Sequence, residues 1–380
     1  MSISRRDLFH CLAAGAFASA AIPSLDEFSL ANVLQPLDAS QPSGVIHLDK
    51  NENAFGPSKK ATEAMRASLD LANRYPNREY EPLAEKIANL HNVKPEQVTL
   101  GTGSTEILRM AVAVYLAGRK KLILASPTFD AIAHCAEIAG AEVVAIPLNK
   151  RYEHDLDAML ARADGSTGLV YICNPNNPTG SLTPRKDLET FVGKISPKTV
   201  VLIDEAYHQY VEGASDYASF LDRPIDDARL IVVRTFSKIY GLAGLRLGYA
   251  ISSPQISQRL SSNRLQWGVN VVAARAAAAA LDDADYIRLS VKRNTDDRQE
   301  FYNRANAHML RSIDSHTNFL MMNAGLPSAQ VLEHFQKNHV LLGPRIPRMD
   351  KYVRVSLGRP EEMQEFWRVW DLLPPHAMQM

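Results

Sequence analysis

The sequence has little of what marks several protein classes. Its 380 residues include three cysteines, and 42 Lys and Arg residues balance 42 Asp and Glu residues. A chain with no net positive charge is a poor candidate for binding nucleic acid or an anionic membrane surface. We expect Cys135 and Cys173 to be free thiols, and the histidines show no spacing typical of metal ligands. No apolar run reaches the length of a stable membrane span, so we expect the mature protein to be free of the membrane.

The N-terminus departs from this plain composition. Arg5 and Arg6 precede an alanine-rich apolar run from Leu12 to Ile22, and Ala18-Ser-Ala20 offers the small residues that a signal peptidase reads. This order resembles a twin-arginine export signal, which implies a signal peptide over residues 1–21 and a periplasmic or exported protein. The alternative is a short amphipathic N-terminal helix on a cytoplasmic protein.

The pattern beyond the signal predicts an arm and two domains. Residues 22–47 form the arm. In residues 48–270 short apolar strands alternate with helical segments, and strands such as Val200–Ile203 are apolar at every position. This favours a three-layer, doubly wound, mostly parallel α/β sheet, which binds ligands at the carboxyl ends of its strands. Residues 271–380 begin with an alanine-dense helix and a long charged helix and continue as a smaller C-terminal α/β domain.

A lysine follows one of the predicted strands in a turn suited to an anion. Thr235-Phe-Ser-Lys238 comes directly after the strand Leu230–Val233, and Arg246 lies eight residues beyond the lysine. Hydroxyl groups and a guanidinium bind phosphate well, and a desolvated lysine keeps part of its population neutral and nucleophilic. Taken alone, the stretch is equally compatible with an ordinary surface turn.

Four further motifs follow predicted strands. Gly101-Thr-Gly-Ser-Thr-Glu106 opens a helix, so its free N–H groups and the hydroxyls of Ser104 and Thr105 suit a phosphate. The others are Pro127-Thr-Phe129, Asn174-Pro-Asn-Asn-Pro-Thr-Gly180 and Asp204-Glu-Ala-Tyr207. They present an aromatic face, an amide, a carboxylate and a phenol.

Together these motifs indicate a site for pyridoxal 5'-phosphate. Lys238 suits the aldehyde, Asp204 the protonated ring nitrogen, Tyr207 and Asn177 the ring oxygen, and Phe129 stacking on the ring. The cofactor's phosphate would be bound by Ser104, Thr105, Thr235, Ser237 and Arg246.

The same motifs, in this order, resemble the class I/II aminotransferases of fold type I over residues 45–360. Leu48-Asp-Lys-Asn-Glu-Asn53, Asn73-Arg-Tyr-Pro76 and Tyr352-Val-Arg-Val-Ser-Leu-Gly358 are similar to landmarks of the histidinol-phosphate aminotransferase branch. The resemblance implies a homodimer with shared active sites, in which Tyr75 reaches the partner's cofactor phosphate. It also implies that Arg354 binds the substrate α-carboxylate and that Arg345 helps bind a substrate phosphate.

The expected activity is a ping-pong transfer of an amino group from an amino acid, or histidinol phosphate, to a 2-oxo acid through a Lys238 Schiff base. The sequence leaves the donor open, since an exported enzyme would be separated from a cytoplasmic biosynthetic pathway. A pyridoxal-phosphate lyase, decarboxylase or racemase on the same fold is an alternative. A non-catalytic binding protein on that scaffold is another, although it would not need the Schiff-base lysine.

Overall fold

A seven-stranded sheet forms the centre of the protein. The computed structural model describes residues 44–76, 78–225 and 227–373. The predicted signal peptide and most of the predicted arm lie outside these residues. The strands of the sheet are β2 (Val98–Gly101), β3 (Lys121–Ser126), β4 (Glu142–Pro147), β5 (Thr167–Cys173), β6 (Val200–Asp204), β7 (Leu230–Thr235) and β8 (Gly248–Ser252).

The sheet is mostly parallel, as predicted. Its strand order is β2-β8-β7-β6-β5-β3-β4, and β8 runs antiparallel to both of its neighbours. The alternation of strands and helices could not reveal this reversal, because the connection from β7 to β8 contains a short 3-10 turn over Ala243–Leu245 and no crossover helix. The carboxyl ends of β2, β3, β5, β6 and β7 therefore share one edge of the sheet.

Helices cover both faces of this sheet. They are α1 (Lys59–Arg66), α2 (Tyr80–Leu90), α3 (Ser104–Tyr115), α4 (Ala131–Ile138), α5 (Leu156–Arg162), α6 (Arg185–Lys194), α7 (Pro254–Ser261) and α8 (Val271–Leu281). Neighbouring residues of one strand enter different cores: Tyr171 packs with α3 and α4, whereas Ile172 packs with α6. Strands apolar at every position are thus buried on both sides, which confirms the predicted α/β fold class.

A second core lies around a three-stranded antiparallel sheet of β9 (Arg311–Ser312), β10 (Phe319–Asn323) and β12 (Tyr352–Ser356). Helices α9 (Ala284–Ala307), α10 (Ser328–Lys337) and α11 (Pro360–Asp371) belong to this part of the chain, and β1 (Ile46–Leu48) pairs in parallel with β11 (Val340–Leu342). The boundary at residue 270 stays a prediction. The sequence pattern did not indicate α7, β9 or β11, since each is short or lacks a clear apolar period.

Two smaller observations complete the fold. Cys135 and Cys173 are free thiols, and Cys173 is buried at the end of β5, as predicted. Within the described ranges, no helix combines the length and the apolar composition needed to cross a bilayer.

Candidate active site

Lys238 lies just beyond the end of β7, half-buried, with its amine against the chain that follows β1. Its Nζ donates to the carbonyl oxygens of Lys50 at 3.1 Å and Asn51 at 3.0 Å. Burial and, second to it, the nearby charge of Arg354 lower the pKa of Lys238 to about 7. A substantial fraction of this amine is therefore neutral near pH 7, as a nucleophilic lysine requires.

Asp204 ends β6 as a buried carboxylate. It accepts hydrogen bonds from the phenol of Tyr171 at 2.9 Å and from the backbone N–H of Ala206 at 3.1 Å. Burial raises the pKa of Asp204 to about 6, and these two hydrogen bonds oppose that rise. Because both donors are neutral, the buried charge would gain most from a cationic ligand.

Arg354 connects β12 to the loop after β5. Its Nη1 donates to Asn177 Oδ1 at 2.7 Å, and its Nη2 donates to the carbonyl oxygen of Asp49 at 2.6 Å. The guanidinium is buried, and its Nε has no hydrogen-bond partner among the described residues. Burial lowers the pKa of Arg354, which stays charged at any physiological pH. A buried guanidinium with an unused N–H is well suited to bind a carboxylate or a phosphate.

Tyr207 lies three residues beyond Asp204, with its side chain buried. Its Oη accepts from Asn51 Nδ2 at 3.1 Å, and its ring packs edge-on against Phe319 with the centroids 5.2 Å apart. Burial raises the pKa of Tyr207, so the phenol keeps its proton and can donate it in a hydrogen bond.

An anion cradle forms where α3 begins. Arg246 Nη1 donates to Ser237 Oγ at 3.3 Å, and a Cβ placed on Gly103 would collide with the Arg246 guanidinium. Gly103 precedes the first residue of α3, Ser104, with a φ of 74°, which glycine adopts without strain. Thr235 Oγ1 accepts from the N–H of Ser237 at 3.1 Å and so shapes the turn. The free N–H groups of the first helical turn, which includes Thr105, thus lie beside a guanidinium and a hydroxyl.

Three predicted site residues lie outside this arrangement or at its margin. Phe129 is half-buried against the core beside α3 and α4. Tyr75 is 69% exposed and stacks on Trp267 with centroids 4.2 Å apart. Arg345 is exposed and pairs with Asp350 at 2.8 Å. The role of Tyr75 toward a partner subunit and that of Arg345 toward a substrate phosphate stay predictions.

Sequence reasoning gave no role to several residues that the structure brings into the site. Asn51, Tyr171 and Ser356 each bond to a predicted site residue or to one another. The polar turn Asp49-Lys-Asn-Glu-Asn53 was the available signal for Asn51. Nothing in the sequence marked Tyr171, because it lies within an apolar strand.

Comparison with known proteins identifies this arrangement. Residues 43–369 match the family model for aminotransferase class I and II. The chain belongs to this aminotransferase family. A histidinol-phosphate aminotransferase from Bacillus cytotoxicus is 36% identical over 324 residues, covering 85% of this chain and 87% of its own length. One from Geobacillus thermodenitrificans is 35% identical over 321 residues, covering 84% and 87%.

A solved structure supports the same assignment. The histidinol-phosphate aminotransferase from Sinorhizobium meliloti, in complex with pyridoxal-5'-phosphate, superposes with a TM-score of 0.80 at 25% identity, covering 88% of this aminotransferase and 90% of that chain. The predicted enzyme class and cofactor are thereby confirmed: the protein is a pyridoxal-phosphate-dependent aminotransferase.

The residues of this aminotransferase fit that cofactor. Lys238, which is partly neutral near pH 7, suits the cofactor's aldehyde, and the buried carboxylate of Asp204 suits its pyridinium nitrogen. The anion cradle at the start of α3 suits its phosphate. They lie at the carboxyl ends of β7, β6 and β2, at a single edge of the sheet. In this sheet β6 and β7 are adjacent, and β8 lies between β7 and β2. Beside Ser237 there is also a cavity of about 310 Å³, lined by Glu52, Asn53 and Ser356 among others. The site thus has room for a substrate next to the cofactor residues.

Proposed function

We propose that this aminotransferase takes its amino group from a donor with an anionic substituent beside the amino carbon. The observation that carries the proposal is the backbone of residues 49–51. Its three consecutive carbonyl oxygens hold two basic side chains of the site: Asp49 accepts from Arg354, and Lys50 and Asn51 accept from Lys238. The Arg354 guanidinium and the Lys238 amine are therefore positioned by the same stretch of backbone. A substrate whose anionic group binds Arg354 would then present its neighbouring amino carbon close to Lys238.

We also propose the residues that would hold the cofactor. Ser104, Thr105, Thr235, Ser237 and Arg246 would bind the phosphate, Asp204 would pair with the ring nitrogen, Asn177 and Tyr207 would bind the ring oxygen, and Phe129, at the margin of the site, would pack on the ring. When bound, pyridoxal phosphate supplies an electron sink for a carbanion. Lys238 Nζ would accept the proton from the donor's α-carbon and donate it to the cofactor carbon that carries the amino group, so the proton does not return to the donor.

A half-reaction tests this assignment. Purified protein loaded with pyridoxal phosphate is mixed with one donor at a time and no acceptor, and the cofactor's absorbance is recorded. An aminotransferase changes that absorbance with donor alone, whereas a lyase, decarboxylase or racemase regenerates the starting spectrum. Lys238→Ala should abolish the change, and Lys198→Ala, an exposed lysine before β6, should keep it.

Histidinol phosphate is the first donor to test. The curated relatives at 35% to 36% identity carry that substrate in their names, and Arg345 lies upstream of Arg354 on the chain. Amino acids with an α-carboxylate, aromatic ones included, form the second group. A panel that contains both groups decides between them by relative kcat/KM.

We also propose a homodimer in which each site takes Tyr75 from the partner. Support comes from its 69% exposure and its stacking on the half-exposed Trp267, which together present aromatic surface for a second copy. Mixing Lys238→Ala with Tyr75→Ala subunits tests this. Hybrid dimers would contain one intact site, so activity should exceed the sum of the two variants. No gain after verified subunit exchange would overturn the shared site.

Export through the twin-arginine route is a further proposal. Its support is the sequence alone: the paired Arg5 and Arg6 before an apolar run with a small-residue cleavage site. Fractionation of cells that make the full chain should find the mature protein in the periplasm. Changing both arginines to lysine should leave it in the cytoplasm, and a wild-type protein that stays cytoplasmic would refute export.

A further inference from the structure

Asn51 makes an unusual set of contacts for a residue in a loop. Its side chain is 1% exposed and its backbone is left-handed, with a φ of 54°. Asparagine is among the few residues other than glycine that tolerate this conformation. Asn51 contacts Lys238 and Tyr207, two residues of the proposed cofactor site. Its carbonyl oxygen accepts from Lys238 Nζ, and its side-chain amide contacts the Tyr207 phenol.

Ser356 contacts both the backbone and the side-chain amide of Asn51. Ser356 Oγ accepts from the backbone N–H of Asn51 at 2.8 Å and lies 3.0 Å from Asn51 Oδ1. A hydroxyl has a single proton, and an amide oxygen can only accept, so Ser356 donates to Oδ1. The NH₂ group of Asn51 must then face Tyr207. The flipped amide would instead donate to Ser356 and accept the phenol proton of Tyr207, so the orientation with Nδ2 toward Tyr207 is the one that leaves this proton free.

The orientation of the Asn51 amide determines which hydrogen bonds the Tyr207 phenol can form. Asn51 Nδ2 donates to Tyr207 Oη and so occupies one lone pair of the phenol oxygen. The phenol's own proton is therefore free to form a second hydrogen bond. Tyr207 keeps this proton because it is buried. The phenol could then donate this proton to the ring oxygen of a bound cofactor.

Ser356 also joins this network to the substrate side of the site. It lies two residues beyond Arg354 on β12, so both side chains are on the same face of that strand. Asn318, just before the adjacent β10, donates to the carbonyl oxygen of Asn51 at 3.0 Å. Movement of β12 would therefore be transmitted through Ser356 and Asn51 to Tyr207 and Lys238.

We propose that Asn51 is a positioning residue that directs the Tyr207 proton to the cofactor's ring oxygen and couples it to the Arg354 strand. The proposal rests on the cofactor contacts of the proposed function. It concerns a residue that acts through Tyr207 and Lys238, so its effect must be seen in the cofactor's spectrum and affinity as well as in turnover.

The test uses Asn51→Gly, which removes the amide while leaving the left-handed backbone unstrained. Its matched control is Asn92→Gly, the same change at an exposed asparagine with a φ of 51°. Titration of the apo protein with pyridoxal phosphate gives the cofactor Kd, and the loaded protein gives the absorbance spectrum at a fixed pH. We expect a Kd about tenfold higher for Asn51→Gly, with a spectrum like that of Tyr207→Phe, and no change for the control.

A double variant gives the sharper result. If Asn51 acts through Tyr207, Asn51→Gly adds little to Tyr207→Phe, and the combined rise in Kd stays near tenfold rather than about a hundredfold. Ser356→Ala, which frees the amide without touching Tyr207, should shift the spectrum in the same direction by a smaller amount.

Several outcomes would overturn the inference. Asn51→Gly with the wild-type spectrum and Kd contradicts it, and so do additive effects with Tyr207→Phe. A wild-type protein that takes up no pyridoxal phosphate would instead refute the cofactor contacts of the proposed function, and the two failures are thereby distinguishable. Loss of folding in Asn51→Gly would show as a lowered melting temperature, in which case Ser356→Ala decides alone.

Discussion

Arg354 Nη1 lies 2.7 Å from Asn177 Oδ1, so a guanidinium on β12 and an amide after β5 form one hydrogen-bonded unit. These residues are 177 positions apart in the chain. Arg354 belongs to the part of the chain around the smaller sheet, and Asn177 follows a strand of the central sheet. A substrate anion bound by Arg354 would therefore lie at the edge where the cofactor residues converge.

Replacing Arg354 with lysine should impair substrate binding far more than cofactor binding. Lysine cannot reproduce the planar fork that contacts Asn177 and Asp49 while presenting a further N–H to the donor. We expect the KM for the donor to rise roughly 10- to 100-fold. Steady-state kinetics measure this, the absorbance of the loaded protein verifies the cofactor, and Arg368→Lys on the exposed face of α11 is the control. An unchanged KM would remove Arg354 from the substrate site.

Arg345→Ala separates a phosphorylated donor from an unphosphorylated one. If Arg345 binds a substrate phosphate, the KM for histidinol phosphate rises by roughly tenfold, while that for a carboxylate donor stays within about twofold. The comparison is made on one protein preparation with both donors. Equal effects on the two donors, or none, would leave Arg345 as a surface residue paired with Asp350.

Asp204→Asn should raise the free energy of unfolding of the apo protein. The same change should abolish the activity of the protein loaded with cofactor. The folded-state pKa of Asp204 is raised from 3.8 to about 6, so between these values only the unfolded chain loses the proton. Stability therefore falls as pH rises through this window, and the penalty is complete above pH 6. Asparagine avoids it and can still bond to Tyr171 and Ala206. We expect the free energy of unfolding at pH 8 to rise by about 3 kcal/mol, measured by urea denaturation.

The unfolding free energies of the wild type and of Asp204→Asn should converge at low pH, because the Asp204 carboxyl is then neutral in both the folded and the unfolded state. A difference in unfolding free energy that persists at about pH 3, below the ordinary pKa of 3.8, would show that the stabilisation has another origin. In the loaded protein the sign should reverse, because the carboxylate pairs with the cofactor's ring nitrogen.

Cofactor loading should follow the protonation of Lys238. The pKa of Lys238 is lowered to about 7, so its reactive neutral form increases as pH rises and dominates above that value. The loading rate of apo protein should rise about tenfold per pH unit below 7 and level off above it. Stopped-flow absorbance measures the rate, and N-acetyl-lysine amide, whose pKa is about 10.4, is the reference that keeps rising. A protein profile that also rises through pH 9 would contradict the lowered pKa.

The sequence predicted the central fold well because its signals are local. Each strand of the large sheet is a short apolar run, and parallel strands place their carboxyl ends at one edge, so the closeness of Lys238, Asp204 and Asn177 followed from topology. The strand β8 was predicted, but its reversed direction was not, because a short irregular connection looks the same for either direction.

Contacts between distant segments were beyond such reasoning. Asn51 meets Tyr207 across 156 positions and Ser356 across 305, and no periodicity or spacing connects them. The role expected of Tyr75 involves a second subunit, and the two arginines of the predicted export signal lie outside the described residues. These features need measurements on the assembled, full-length protein.

Reductive trapping tests the central claim most directly. The protein is loaded with pyridoxal phosphate, treated with sodium borohydride, digested and analysed by mass spectrometry, with Lys238→Ala and Lys198→Ala treated alongside. We predict a cofactor adduct on the peptide that contains Lys238 in the wild type and in Lys198→Ala, and none in Lys238→Ala. An adduct confined to another lysine, or a wild-type protein that yields no adduct, would contradict the assignment of Lys238 as the lysine that holds the cofactor.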